Sequence, residues 1–227
     1  LPEEVCRLAT GCLAVEPGER YQGWEQVEAA FVAAHEAVTG RPAPEAEPAA
    51  ALSRAERVAA GWSYGEIGLS YQDIGKTELA LKYFERAQEI GRTKSEPSLE
   101  AAGLTYLGLA YTRLGYVKKA IGFYKSALAI IRKTQSRRGE GIILGNLGSA
   151  YLDLGDAQRA IECCKQALTI FRETGKWRDE GIALNNLGNV YKNLGKPRQA
   201  IVYYERALAI AHKIGNKRSE ENALGNL

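Results

Sequence analysis

The sequence repeats itself every 40 residues from residue 61 onward, and this internal repeat limits the chain to a small set of architectures. Blocks begin at residues 61, 101, 141 and 181, and a fifth begins at residue 221. Five columns keep the same residue type through the four complete blocks: Gly68, Gly108, Gly148, Gly188; Tyr71, Tyr111, Tyr151, Tyr191; Gly75, Gly115, Gly155, Gly195; Ala80, Ala120, Ala160, Ala200; and Ala87, Ala127, Ala167, Ala207. A period of this length predicts an array of stacked units, each too small to bury its own apolar face.

The columns describe a helical hairpin. A tyrosine three residues after the first glycine lies on the same helix face, and the second glycine stands where the first helix must end in a left-handed cap. Asp156 is a predicted N-cap, and Pro197 falls in the first turn of a second helix. The first glycine costs about 1 kcal/mol in mid-helix, which predicts a close approach by the partner helix. The positions between the two alanines are filled by Phe84, Tyr124, Cys164 and Tyr204.

This pattern resembles the tetratricopeptide repeat family over residues 61–227. The usual period in that family is about 34 residues. The longer spacing and the strings Leu-Gly-Asn-Leu-Gly (144–148) and Leu-Asn-Asn-Leu-Gly (184–188) are similar to its longer-helix subgroup, which includes Pins-like polarity adaptors, kinesin light chains and bacterial peptide-sensing regulators. Cys164 departs from the pattern because an aromatic residue is expected there, and so does Gln88, where later repeats have leucine.

The resemblance implies an all-α fold, a right-handed α-α superhelix of helical hairpins. The array is expected over residues 53–227, with repeats at about 61–100, 101–140, 141–180 and 181–220 and the start of a fifth at 221. Ser53 and Glu56 form a capping-box pattern. This pattern predicts a first helix from about Arg54 to Ile74.

In this family the first helix of each hairpin lines a concave groove, and the resemblance implies which side chains face it. The expected groove residues are Thr105, Tyr106, Leu109 and Arg113 in the second repeat, Asn146, Ser149 and Asp153 in the third, and Asn185, Asn186, Asn189, Lys192 and Asn193 in the fourth. An asparagine amide donates and accepts at once, so it suits an extended peptide backbone, and asparagines contact bound peptides in relatives. The alternative interpretation is that these amides are solvated or cap a neighbouring turn.

A groove that clamps two carboxylates of a chaperone tail needs basic residues at fixed positions. This chain has Gly65, Thr105, Gly145 and Asn185 there, which disfavours such a clamp. Basic residues concentrate elsewhere, since residues 101–140 hold eight of them against one acidic residue. They are expected mainly on the second helix and the following loop: Lys118, Lys119, Lys125, Arg132, Lys133, Arg137 and Arg138. A solvated face and attraction to an acidic protein segment both remain open.

Residues 1–40 do not fit the repeat. They indicate two short helices, at about 3–14 and 22–39, followed by a Pro/Ala/Glu-rich linker at 41–52. The string from Cys12 to Tyr21 resembles the last helices of a bacterial-type serine/threonine kinase C-lobe, and Arg20 matches the arginine that pairs with a buried glutamate in that family. The competing interpretation is a divergent helical cap on the array.

Leu1 is not an initiator methionine and the pattern stops in mid-block at Leu227, so we expect the sequence to be part of a longer protein.

The residues that carry chemistry are sparse and scattered. His35 and His212 have no ligand partners at metal-binding spacing, and the glycine columns lack the Gly-Lys-Ser/Thr of a phosphate loop. Glu100, Glu140, Glu180 and Glu220 recur once per repeat and are expected to be first-turn charges or partners of nearby arginines. The sequence therefore predicts no enzyme, no cofactor and no metal site.

The four cysteines, with the adjacent pair Cys163 and Cys164, are interpreted as buried reduced thiols of a cytoplasmic protein.

Two functions from different classes remain. The favoured one is a protein–protein interaction scaffold that binds a peptide segment in the groove, as a targeting or regulatory region of a larger signalling protein such as a kinase. The alternative is a structural module whose repeats pair with a second copy and set the oligomeric state. The net charge of +3 and the absence of interleaved aromatic residues argue against nucleic acid as the partner. No apolar run approaches the roughly 20 residues of a membrane span.

Overall fold

The computed structural model describes residues 53–227, and every regular element in this part of the chain is a helix. The helices are α1 (Arg54–Asp73), α2 (Thr77–Thr93), α3 (Pro97–Arg113), α4 (Val117–Ile131), α5 (Arg137–Asp153), α6 (Ala157–Glu173), α7 (Trp177–Asn193), α8 (Pro197–Ile214) and α9 (Lys217–Asn226), with one short 3₁₀ turn at Arg132–Thr134. None of these helices is both long and apolar enough to cross a membrane. The predicted helix pair and linker of residues 1–52 lie outside the described residues.

The ends of the helices follow the local signals in the sequence. The Ser53 hydroxyl accepts a hydrogen bond from the Glu56 backbone N–H, and the Glu56 carboxylate accepts one from the Ser53 N–H, which completes the predicted capping box. The Asp156 carboxylate accepts from the Arg159 N–H at 3.1 Å, and α8 begins at Pro197. The second glycine column is left-handed throughout, with φ between 67° and 83° at Gly75, Gly115, Gly155 and Gly195. These four predictions are confirmed.

Inside each hairpin, the first glycine column lies directly under a side chain of the second helix. A Cβ at Gly68, Gly108 or Gly188 would overlap the ring of Phe84, Tyr124 or Tyr204 in turn. A Cβ at Gly148 would meet the sulfur of Cys164. The alanine columns on the second helices are buried along their whole length. The close approach expected from the glycines is therefore present in all four hairpins.

Four hairpins, α1–α2, α3–α4, α5–α6 and α7–α8, stack in chain order, and α9 packs on the last of them. Each second helix also contacts the first helix of the next hairpin. First helices of neighbouring hairpins touch one another, whereas no comparable set of contacts joins the second helices within residues 53–227. The first helices therefore line the inner side of the curved stack. Because α3, α5, α7 and α9 begin at residues 97, 137, 177 and 217, each hairpin starts ahead of the block boundary used to define the repeat.

Ion pairs recur where one hairpin meets the next. Arg132, directly after α4, forms an ion pair with Glu140 in the first turn of α5 at 2.9 Å. Arg172 of α6 forms an ion pair with Glu180 of α7 at 2.8 Å. His212 lies 3.7 Å from Glu220 at the corresponding place in the last junction. The prediction of arginine partners is confirmed for Glu140 and Glu180, and Glu100 lies in the first turn of α3. The buried Glu180 carboxylate is thus compensated.

Candidate peptide-binding groove

A pocket of about 210 Å³ opens on the inner side of the stack between α5 and α7. Its walls include Ile142 and Asn146 of α5 and the matching Ile182 and Asn186 of α7. The volume is below the roughly 300–1,000 Å³ typical of small-molecule sites. It is suited to one inserted side chain, with an apolar wall beside two amides.

The next pocket lies between α7 and α9 and is mainly polar. It measures about 420 Å³, and its amide side chains come from Asn185, Asn186, Asn189, Asn222 and Asn226. The Asn185 side-chain oxygen is buried and has no hydrogen-bond partner among residues 53–227. A buried acceptor without a partner costs about 1–3 kcal/mol, so a donor from water or from a bound chain is favoured at this point.

A third pocket, of about 220 Å³, lies at the other end of the inner side, where α1, α3 and α5 meet. Trp62, Tyr106 and Ile142 line it, together with Thr105. The Thr105 hydroxyl donates to the Ala101 carbonyl at 2.7 Å and is satisfied within its own helix. Burial, with a smaller contribution from the Glu66 charge, raises the pKa of Tyr106.

Side chains at equivalent positions of different repeats form two bands along the inner side. Asn146, Asn186 and Asn226 are separated by one repeat each and form an amide band. Trp62, Ile142 and Ile182 occupy a second repeat position and form an apolar band. Each of these three apolar side chains is at least 38% exposed, so the apolar band is open to a partner. We call the surface formed by the two bands the inner groove.

Several predicted groove residues are engaged elsewhere in the chain. The Tyr204 hydroxyl donates to the Asn189 side-chain oxygen at 2.8 Å, and the Ser149 hydroxyl donates to the Gly145 carbonyl at 3.3 Å. Arg113 donates to the Gln72 carbonyl at 3.3 Å and lies 3.6 Å from Asp73 at the end of α1. The Asn189 and Arg113 contacts join different helices of the array, whereas the Ser149 bond lies within α5. Among the described residues, the Asn189 amide nitrogen has no hydrogen-bond partner.

The remaining predicted residues lie toward the ends of the helices. Asp153 lines a separate cleft with Tyr116 and Lys118 at the turn edge of the array, and partial burial raises its pKa. Lys192 and Asn193 are exposed in the last turn of α7 and line none of the three inner pockets described above. Leu109 is half-buried on α3. The structure therefore brings together Asn146, Asn185, Asn186 and Asn189, and separately Thr105 with Tyr106.

The sequence reasoning missed the apolar band and the asparagines of the fifth repeat. Asn226 could have been found by extending the Asn146 and Asn186 column by one more repeat. Ile142 and Ile182 share a column with Trp62, but an apolar residue on a helix is more often part of the core than of a groove. Their exposure in the folded array is what identifies them.

Within residues 53–227, no group of three or more histidine, cysteine, aspartate or glutamate side chains is arranged to hold a metal ion. Cys163 and Cys164 are free thiols. Burial raises the pKa of the Cys163 thiol and raises that of the Cys164 thiol to about 12. Neither is therefore an activated nucleophile.

Solved structures with similar folds are superhelical repeat proteins. BtubC (BKLC) from P. vanneervenii matches with a TM-score of 0.62 and 21% identity, over 85% of this chain and 74% of that chain. A putative kinesin light chain from Podosopora anserina with TPR-like repeats has a TM-score of 0.58 and 20% identity, over 75% of this chain and 87% of its own. A Rap protein complexed with Competence and Sporulation Factor has a TM-score of 0.67 and 18% identity, over 85% of this chain and 50% of that chain.

A search of the curated protein sequences found no match. The family model described as tetratricopeptide repeat matches residues 49–133 and 139–213, well over half of the chain. The glycine-under-aromatic contact, the left-handed glycine caps and the stacked hairpins supply the structural basis for that match. The chain belongs to the tetratricopeptide repeat family.

Proposed function

We propose that this array is a protein-interaction scaffold that binds an extended segment of a partner protein in the inner groove. The observation that carries the proposal is the pocket between α5 and α7, where Asn146 and Asn186 stand beside Ile142 and Ile182. Within residues 53–227, neither asparagine side chain makes a hydrogen bond to another side chain or to the backbone. Their donors and acceptors are therefore available to a bound backbone.

The two bands of the inner groove recognise different parts of the bound peptide. The amides bond the peptide backbone, which carries one donor and one acceptor at nearly every residue. The apolar band receives side chains of the partner, because burial of a Leu or Ile side chain contributes about 1.5–3 kcal/mol. An extended chain alternates its side chains, so one set can enter the pockets while the other faces solvent.

The fold comparisons are compatible with this role. The Rap protein of similar fold was solved with Competence and Sporulation Factor bound, which supports ligand binding by an array of this shape. We further propose that the array acts in the cytoplasm and catalyses no reaction itself. In this proposal it targets or regulates a larger signalling protein such as a serine/threonine kinase. The kinase hypothesis is supported by the C-lobe-like residues 12–21 alone.

Self-association is the second candidate. Exposed Ile201 and Val202 on the outer helix α8 are the observation that favours it, because exposed apolar side chains are typical of contact surfaces. This candidate makes no use of the inner asparagines. The two functions therefore respond differently to substitutions in the inner groove.

The experiment is a quantitative pull-down with the 227-residue chain and the Asn146→Ala/Asn186→Ala double variant. We expect the variant to lose the partners that the wild type recovers, while light scattering shows an unchanged mass. Asn189 is left intact because its bond to Tyr204 belongs to the fold. Gln199→Ala, which removes an exposed amide from α8, is the matched control and should behave as the wild type. Equal recovery of every partner by the double variant would overturn the proposal.

A further inference from the structure

An arginine occupies one position of the first helix in three successive repeats. Arg138, Arg178 and Arg218 lie in the first turns of α5, α7 and α9. Arg138 and Arg178 precede the pocket residues Ile142 and Ile182 by four positions, which places each arginine on the same helix face as the inner groove. The arginines therefore form one edge of the inner groove, beside the apolar band.

The first of the three arginines is neutralised within the array. The Arg138 Nε donates to the Asp179 carboxylate at 2.9 Å. Asp179 is on α7, 41 residues farther along the chain, and it also lines the pocket with Ile142 and Ile182. A carboxylate from the next first helix thus satisfies the guanidinium at this junction.

The next junction lacks that carboxylate. The residue 41 positions after Arg178 is Ser219, whose backbone N–H donates to the Asn216 cap. Arg178 is exposed and makes no ion pair or hydrogen bond with another residue of the described part of the chain. Glu220 is near His212, and Glu221 in the adjacent pocket makes no ion pair with Arg178. The Arg178 guanidinium is therefore not neutralised beside the inner groove. Ser219 stands at the position where the preceding repeat has the carboxylate of Asp179.

We propose that Arg178 selects a carboxylate side chain of the bound segment, which takes the place that Asp179 has beside Arg138. The inference rests on the proposed function and names its ligand class: an extended peptide with an aspartate or glutamate flanking an aliphatic residue. The aliphatic side chain enters between Ile142 and Ile182, Asn186 bonds the backbone, and the carboxylate meets the guanidinium. Arginine suits this role because its planar fork donates two parallel hydrogen bonds to a carboxylate.

A display library of random 12-residue peptides, selected on the 227-residue chain, provides the probe. We expect the enriched peptides to carry an acidic residue at a fixed offset from an aliphatic one. The affinity of such a peptide, measured by fluorescence anisotropy, should fall about tenfold in Arg178→Gln, because glutamine cannot donate charge-assisted hydrogen bonds to the peptide carboxylate. Arg198→Gln, an equal charge change on the outer helix α8, should leave the affinity within about twofold of the wild type.

A second variant tests the same idea without removing the arginine. Ser219→Asp places a carboxylate where α7 carries Asp179, in the first turn of α9, where a negative charge is favourable. It should lower the affinity for the acidic peptide as Arg178→Gln does, with the thermal midpoint retained. Enriched peptides without an acidic excess, or equal binding by the wild type and Arg178→Gln, would overturn the inference. Neutral peptides that still depend on Asn146 and Asn186 would leave the proposed function standing, whereas enrichment of no peptide would refute both.

Discussion

Cys164 shows how one residue can depart from a repeat without breaking it. It occupies the position filled by Phe84, Tyr124 and Tyr204 in the other hairpins, and it is fully buried against Gly148. A small sulfur side chain takes the place of a ring, and the pair of helices still closes around it. Desolvation of the thiolate is the main reason that the Cys164 pKa rises to about 12.

This raised pKa predicts a loss of stability in alkaline solution. Because the folded chain holds the Cys164 proton more tightly than the unfolded chain, the stabilisation is complete below about pH 9, near the ordinary thiol pKa, and is lost progressively as the pH rises toward 12. Urea unfolding at pH 8 and pH 10 should show a smaller decrease for Cys164→Ala than for the wild type. Identical decreases in the two proteins would contradict the assignment.

The α7–α8 hairpin has a close contact between a glycine and an aromatic ring. Gly188 lies under Tyr204, which is 1% exposed and bonds Asn189 through its hydroxyl. Tyr203, next to Tyr204 on α8, stacks on Tyr191 of α7 with ring centroids 5.2 Å apart. The hairpin interior therefore has no room for an additional methyl group at the glycine.

Gly188→Ala should lower the free energy of unfolding by up to about 2 kcal/mol. Overpacking costs about 1–3 kcal/mol, and the helix propensity of alanine offsets about 1 kcal/mol of that cost. Gly122 is the matched control, since it lies in mid-helix on α4 and the space that an alanine methyl group would fill there is open. Gly122→Ala should stabilise the chain by up to about 1 kcal/mol. Chemical denaturation measures both, and a stabilising Gly188→Ala would refute the contact.

Local chemistry explains why the helices and hairpins could be predicted from the sequence. Caps, left-handed glycines and the small-residue columns each act within a few residues or between two adjacent helices, and they recur in every block. The inner groove was only partly predictable. Nothing local shows that Tyr204 bonds Asn189 or that Arg113 turns back to α1, because both contacts depend on side-chain directions across helices.

At the scale of the whole array, the first helices form the inner side and the second helices the outer side. Adjacent hairpins are joined by the apolar core and by the Arg132–Glu140 and Arg172–Glu180 pairs. Stacking in this manner repeats the same surface positions at regular intervals. The amide of Asn146 therefore recurs at Asn186 and Asn226, and the isoleucine of Ile142 recurs at Ile182, along a surface that a single hairpin does not provide.

The central claim, that a partner binds the inner groove, is tested most directly by site-specific photo-crosslinking. A benzophenone amino acid replaces Ile182 on the inner side or Val202 on the outer side, which are 49% and 51% exposed and so equally accessible. With the partner recovered by the wild-type chain, we expect a crosslink from position 182 and none from position 202. Crosslinking from position 202 alone, or equally from both, would contradict the claim.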